Sequence, residues 1–212
     1  MHQYKSEGKT MRKVLRTAAT GLLLGLSAPA VVSAEMPGMK GIPGMRGTQH
    51  IGITVPDIDG AVDFLVDVVG CESFFSFGPF GPFEDDWMTA NLNVDSRAVI
   101  ELITVVRCGD GPAMEVFDYD APGQSPTPPA NSDIGGYHVA FYVDDIEVAA
   151  QYLREKGIEV LGEPKPLTGT ALEGMQWVYF LAPWGMQMEI VSAPEGIAFD
   201  KESDRRLWDP RN

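Results

Sequence analysis

The tightest constraint on this chain is an internal repeat. Thr48 to Asp57 (TQHIGITVPD) and Gly135 to Asp145 (GGYHVAFYVDD) follow one plan: a histidine, an alternating run, a valine at an acidic turn, and then an apolar helix. In the first copy Ile51, Ile53 and Val55 fall on one face of a strand, and His50, Gly52 and Thr54 on the other, because side chains alternate sides along an extended backbone. One face packs and the other lines something. The following helix has Ile58, Val62, Leu65 and Val69 as its expected buried stripe, Asp57 or Asp59 as its cap and Gly70 at its end. In the second copy Val139, Phe141 and Val143 pack beneath a helix carrying Ile146, Ala150 and Leu153 and ended by Gly157.

Each copy continues with more strands. Cys71 to Phe77 reads as a strand, and Ala98 to Cys108 and Ala113 to Tyr119 are apolar runs joined by the turn signal Gly109-Asp-Gly-Pro112. The second copy closes alike, with Trp177 to Leu181, the turn Pro183-Trp-Gly185, and Met186 to Ser192. Between the strands of the first copy lies an aromatic, Gly/Pro-rich insert, Gly78 to Asp95, with Phe80, Phe83 and Trp87. It suits either a lid or a loop tucked over the core. The expected class is α+β: strand, helix and three strands, twice over. Neither copy alone buries both faces of its sheet, so the two should pair into one domain. The expected organisation is 1–34 export signal, 35–47 flexible leader, 48–120 first module, 121–133 proline-rich linker, 134–192 second module and 193–212 polar tail.

Met11 to Ala34 has a basic start, an apolar run too short to span a bilayer, and small residues before Ala34, the pattern of an export signal. The mature chain is therefore expected to be periplasmic or secreted, without a membrane partner once the signal is removed. Of the 16 Lys/Arg and 30 Asp/Glu, the first 34 residues hold five and one, so the remainder carries 11 against 29, a net charge of −18. That excludes nucleic acid as a natural partner. The only cysteines, Cys71 and Cys108, fall at the start of the second strand and the end of the third. Those strands are antiparallel neighbours, so the two can bridge in an oxidising compartment.

Three histidines occur, and His2 lies in the segment read as a signal, so the mature chain keeps His50 and His138 at matching places in the repeat. Counting from the turns, Glu115 lies four residues after Gly111, and Glu189 four after Gly185. Imidazole and carboxylate together suit one divalent metal ion, Zn, Ni, Fe, Mn or Co, with room left for water or substrate. One histidine by itself is ordinarily structural; two at equivalent positions, each matched by a glutamate, point to a metal site. Glu101 is a rival to Glu115, since it follows His50 by 51 residues, the His138-to-Glu189 spacing. Choosing it leaves the glycine turn and the strand after it outside the module, which favours Glu115.

Taken together, GGYHVAFYVDDI, GMQMEIV, HIGITVPDID and GPAMEVFDY resemble the vicinal oxygen chelate superfamily over His50 to Ser192. That superfamily includes glyoxalase I, methylmalonyl-CoA epimerase, extradiol dioxygenases and fosfomycin-resistance proteins. The resemblance implies paired βαβββ modules forming a cup-shaped mixed sheet around a metal held by His50, Glu115, His138 and Glu189. It implies a lyase or isomerase acting on a small molecule that chelates the metal through two adjacent oxygens. A glutamate at a ligand position, Glu189, would serve as the catalytic base. Glyoxalase I usually has Arg four residues after the first ligand and Asn four after the first-module Glu; here they are Thr54 and Tyr119, so a lactoylglutathione lyase is not expected. Two alternatives stay open. An Fe(II) ring-cleaving dioxygenase would use His50, His138 and Glu189, and a fourth ligand counts against it; a non-catalytic binding protein would need the metal only as an anchor. The expected partner is a small-molecule substrate, with a homodimer left open.

Overall fold

The computed structural model describes residues 41–211. The export signal and the first part of the leader lie outside the described residues. From Arg46 onward the chain forms one unit built of two modules with the same strand order. In the first, β1 (His50–Thr54), β2 (Glu72–Phe77), β3 (Val99–Arg107) and β4 (Ala113–Asp120) form a sheet in the order β1-β4-β3-β2. In the second, β5 (Val139–Tyr142), β6 (Lys165–Pro166), β7 (Gln176–Leu181) and β8 (Gln187–Ser192) repeat it as β5-β8-β7-β6. Each sheet is mixed: β1 runs parallel to β4 and β5 parallel to β8, and the other pairs are antiparallel.

The helices α1 (Ile58–Phe64) and α3 (Ile146–Glu155) follow β1 and β5. Asp57 caps α1 by accepting from the Gly60 amide at 3.2 Å. Asp145 does the same for α3, accepting from Glu147 and Val148. Capping of this kind satisfies amides that have no partner inside the helix. The buried stripe of α1 differs from the expected one. Ile58, Ala61, Phe64 and Leu65 are buried, whereas Val62 and Val69 are only partly so. At the end of the stripe a π turn over Leu65–Val69 rotates the last side chains, ending at Gly70 with φ 90°.

Ile53, Val55, Phe64, Leu65 and Val116 of the first module share one core with Ile146, Ala150, Leu153, Phe180, Met188 and Ile190 of the second. Across the boundary the Phe64 and Trp184 rings meet edge-on at 5.7 Å. Burying an aliphatic side chain of this size contributes about 1.5–3 kcal/mol, and neither module has enough such surface without the other. The aromatic insert contains a short helix, α2 (Trp87–Leu92), whose Met88 is buried with Ala98, Ile100 and Ile103 in a second, smaller cluster. Phe117 and Tyr119 pack against that cluster. The C-terminal segment is also ordered further than a polar tail would be: Ile197 is buried and α4 (Ala198–Glu202) follows it. Its start is held by the Ala198 and Phe199 amides, which donate to the carbonyls of Glu173 and Ala171. No helix among the described residues is long and apolar enough to cross a membrane.

Cys71 and Cys108 form a disulfide across a sequence separation of 37. The register explains it, because Glu72 pairs with Arg107 and the flanking residues therefore meet. A loop of that length stabilises the fold by roughly 4 kcal/mol through the unfolded chain it constrains. Replacing either cysteine with serine is expected to lower the unfolding free energy by an amount of that order, read from denaturant curves. Mass spectrometry of the unreduced protein should show the loss of two hydrogens, and two alkylatable thiols in the folded, unreduced protein would contradict the bridge.

Candidate functional site

The alternation that buries Ile53 and Val55 and packs half-buried Ile51 against the core leaves His50, Gly52 and Thr54 on the opposite face of β1. Parallel pairing with β4 sets Gly52 beside Glu115 and Thr54 beside Phe117. His50 Nε2 then reaches Glu115 Oε2 at 3.4 Å. In the second module Ala140 lies beside Glu189, and His138 Nε2 reaches Glu189 Oε2 at 3.1 Å. The structure thus forms both expected His–Glu pairs, one per module. It does not gather the two pairs: among the described residues, no group of three or more His, Cys, Asp or Glu side chains is placed to hold a metal. The reason lies in the core. Both sheets turn their packed faces toward the same apolar cluster, so the faces carrying the pairs point away from it. A cavity of about 930 Å³ beside β5 includes His138 but none of the other three residues.

Glu101 stands apart from His50. The β3–β4 register slips between Ile100 and Leu102, so Glu101 is the bulge residue with no partner on β4, and its side chain is exposed. The longer spacing from His50 to Glu115, 65 residues against 51 in the second module, is accounted for mainly by the insert that carries α2.

In both pairs the other ring nitrogen is held by an amide. His138 Nδ1 lies 3.1 Å from Asn131 Oδ1, and His50 Nδ1 contacts Gln49 Oε1. In the tautomer whose Nδ1 donates to the amide oxygen, Nε2 presents its lone pair toward the carboxylate. In that tautomer a divalent metal ion would meet an imidazole nitrogen and a carboxylate oxygen side by side, with the outer nitrogen anchored by an amide.

The second pair is the more enclosed, its side chains keeping 32% and 13% of their surface against 44% and 26% in the first. Burial pushes the Glu189 carboxyl above its ordinary range, and the attraction and hydrogen bond of His138 partly offset this. Tyr179, the register partner of Glu189 on β7, packs its ring edge-on against His138 at 5.1 Å. Burial and the Glu189 charge raise its phenol, so it remains a hydrogen-bond donor at neutral pH. Neither Tyr179 nor Asn131 is among the residues that the sequence singles out. Alternation through the β7–β8 hairpin places Tyr179 on the Glu189 face, whereas no local signal marks Asn131, whose role arises only from the fold.

With that geometry in place, comparison with known proteins gives a consistent picture. The sequence profile of the Glyoxalase/Bleomycin resistance protein/Dioxygenase superfamily matches residues 49–179. The chain belongs to this superfamily. A 2-epi-5-epi-valiolone epimerase from an Actinomyces species is 41% identical over 172 residues, covering 81% of this chain and 92% of that protein. A glyoxalase family protein from Bacillus cereus has the same fold, with a TM-score of 0.55 at 18% identity over 74% of this chain and 97% of its own. The α+β architecture of two mixed four-stranded sheets is that of the superfamily.

Because the folded Glu189 carboxyl is raised, it contributes stability that is fully present below the pKa of an unfolded glutamate and is lost as pH rises through the folded value. In carbon NMR of the metal-free protein, Glu189 is expected to titrate above the usual glutamate range. His138→Ala should move it higher still, because the offsetting partner is gone. A Glu189 titration at or below the usual value would refute this account of the site.

Proposed function

We propose that this chain is an epimerase, dependent on one divalent metal ion, of a small hydroxyketone of the valiolone type. It works as a dimer in which His50 and Glu115 of one copy and His138 and Glu189 of the other complete each site. The observation that carries the reading is the pair of matched His–Glu contacts, each with the outer ring nitrogen of its histidine against a side-chain amide oxygen. The epimerase relative supports the isomerase branch over ring cleavage. The dimer is supported by the placement of β1 and β5, each at the outer edge of its sheet on the His-bearing side. Two copies set edge to edge there would bring complementary pairs together. Export belongs to the same proposal; the sequence of residues 1–34 supports it, and the Cys71–Cys108 bridge suits an oxidising compartment.

A metal of the kinds named, bound by these residues, would act as a Lewis acid on two neighbouring substrate oxygens and stabilise negative charge developing there. The rest of the chemistry belongs to the side chains. Glu189 accepts the proton from the hydroxyl-bearing carbon next to the ketone. The electrons of the broken C–H bond form a carbon–carbon double bond, and those of the carbonyl move onto its oxygen. Return of a proton to the same carbon from the opposite face, by the Glu115 carboxyl, inverts the centre; the proton balance is restored from solvent and no oxidant is consumed. Tyr179 stands beside Glu189 as a donor to a substrate oxygen.

Incubation of 2-epi-5-epi-valiolone with the metal-loaded protein in heavy water should place deuterium at the epimerised carbon, and Glu189→Gln should slow this at least about 100-fold. Metal content should fall in His50→Ala, His138→Ala and Glu115→Gln and stay unchanged in Glu101→Gln. Unchanged metal in both histidine variants would end the metal reading. Sites shared between copies also predict complementation. Inactive His50→Ala and His138→Ala chains, when mixed and reassociated, should regain roughly a quarter of wild-type activity, because each mixed dimer has one intact site. No regain would assign each site to a single copy.

A further inference from the structure

The face of the first sheet that carries Glu115 also carries a group of rings. We infer that Phe117, Phe75 and Phe77 form an aromatic platform that takes the C–H face of a six-membered carbocyclic polyol, and that α2 walls it so that one ring fits. This rests on the reading above and goes beyond it, since it assigns the residues that select the substrate's ring.

Strand register places the rings. Glu115 pairs with Val105, and Val105 with Phe75; in the next row Phe117 pairs with Ile103, and Ile103 with Phe77. Directly paired residues project to the same side of a sheet, so both rows share the side of Glu115. The other side belongs to Thr104 and Val106, both buried, Val106 in the core that the modules share. On the open side Phe75 is 59% exposed and Phe77 36%. Their ring centroids lie 6.0 Å apart, and Phe80 meets Phe77 edge-on at 5.9 Å. Phe117 leans the other way, toward β1, where a Cβ on Gly52 would lie 3.3 Å from its ring. Glycine at that position gives the ring room over the residue that pairs with Glu115.

The helix α2 closes the far end. Its Met88 is buried with Ile100 and Ile103, and Phe117 and Tyr119 pack against the same cluster. Because Ile103 lies on the Glu115 side of the sheet, α2 lies on that side too. Between the Glu115 row and this wall stands the single row of Phe77, Ile103 and Phe117, and successive rows on one face are about 7 Å apart. That length suits one saturated ring and not a longer body. A phenyl ring cannot hydrogen-bond hydroxyls, but it can pack against the C–H groups that a carbocycle presents above and below its ring. The hydroxyls at the rim then stay free for the metal and the carboxylates. Apolar surface gathered in one exposed patch marks a binding surface, and its continuity with Glu115 names the occupant. In the proposed dimer strand edges meet, so this face stays open.

The test uses the full chain and two probes: myo-inositol, a six-membered carbocyclic polyol that lacks a ketone and so cannot be epimerised, and an open-chain hexitol. In proton NMR the inositol C–H signals should move upfield as protein is added, with or without Zn(II), because protons over an aromatic face are shielded. Those of the hexitol should move less. Phe75→Leu, Phe77→Leu and Phe117→Leu keep an apolar side chain without a ring, and each should reduce the shift, whereas Phe117→Tyr should retain it. Phe74 is also exposed, but it sits in the β2 bulge without a partner on β3, beneath the Arg107 guanidinium at 5.6 Å. Phe74→Leu should leave the shift as in wild type. With 2-epi-5-epi-valiolone as substrate, the three platform variants should raise KM roughly 3- to 10-fold and change kcat less. No upfield shift in wild type, or shift and KM unchanged in all three variants, overturns the inference even in an active epimerase. Ring-dependent shifts in a protein that binds no Zn(II) and epimerises nothing would end the proposed function and leave the platform standing.

Discussion

Phe64 and Trp184 meet inside a core to which both modules contribute, and the direction this core imposes on the two sheets governs the rest of the molecule. Every strand residue that packs into it commits its neighbours to the opposite face. Ile53 in the core therefore means Gly52 and Thr54 outside it, and Ile190 in the core means Glu189 outside it. The histidines and glutamates reach their faces as a consequence of burying the apolar half of each strand. A side-chain period of two makes this strict, since a slip of one residue would carry the ligands into the core and the core into water.

The same constraint explains why one chain presents two separate pairs. Joining the modules through one shared apolar core satisfies the hydrophobic faces of both sheets. It leaves β1 and β5 as sheet edges, and an edge with unpaired backbone groups favours a further neighbour. In the proposed dimer, edge pairing and completion of the site are one event. Stability then comes from contacts inside each chain, and function from contacts between chains.

Much of this was legible in the residues because it depends on local periodicity. The faces of β1 and β5, the caps at Asp57 and Asp145, the hairpins and the equivalence of Glu115 with Glu189 all follow from alternation and turn chemistry. The cysteine bridge follows from strand order. Features set by long-range packing were not legible. The π turn after Phe64 shifts the end of the buried stripe away from Val69, and no local signal in LVDVV announces it. The bulge at Glu101 breaks the alternation in the strand where a rival ligand had to be weighed. The docking of Ile197 needs the loop around Ala171 and Glu173, which lies elsewhere in the chain. Asn131 is the clearest case: its surroundings in the sequence read as linker, and its partner, His138, is reached only through the fold of the turn between them.

The two pairs are alike in plan but differ in surroundings, and the difference assigns their roles. The first, at the more open face, has its histidine held by the neighbouring residue Gln49. The second is more enclosed, its histidine anchored by Asn131 from a closed turn and bracketed by the Tyr179 ring. A base must hold its proton loosely enough to return it, and a carboxylate raised by burial is better matched to a weakly acidic C–H than one fully exposed to water. Under the proposed reading a metal binds the deprotonated ligands, so its affinity rises with pH. Enclosure favours Glu189 as the base and at the same time makes its proton the harder one to displace. The anchored histidine beside it offsets that cost by holding its ring in place against the carboxylate.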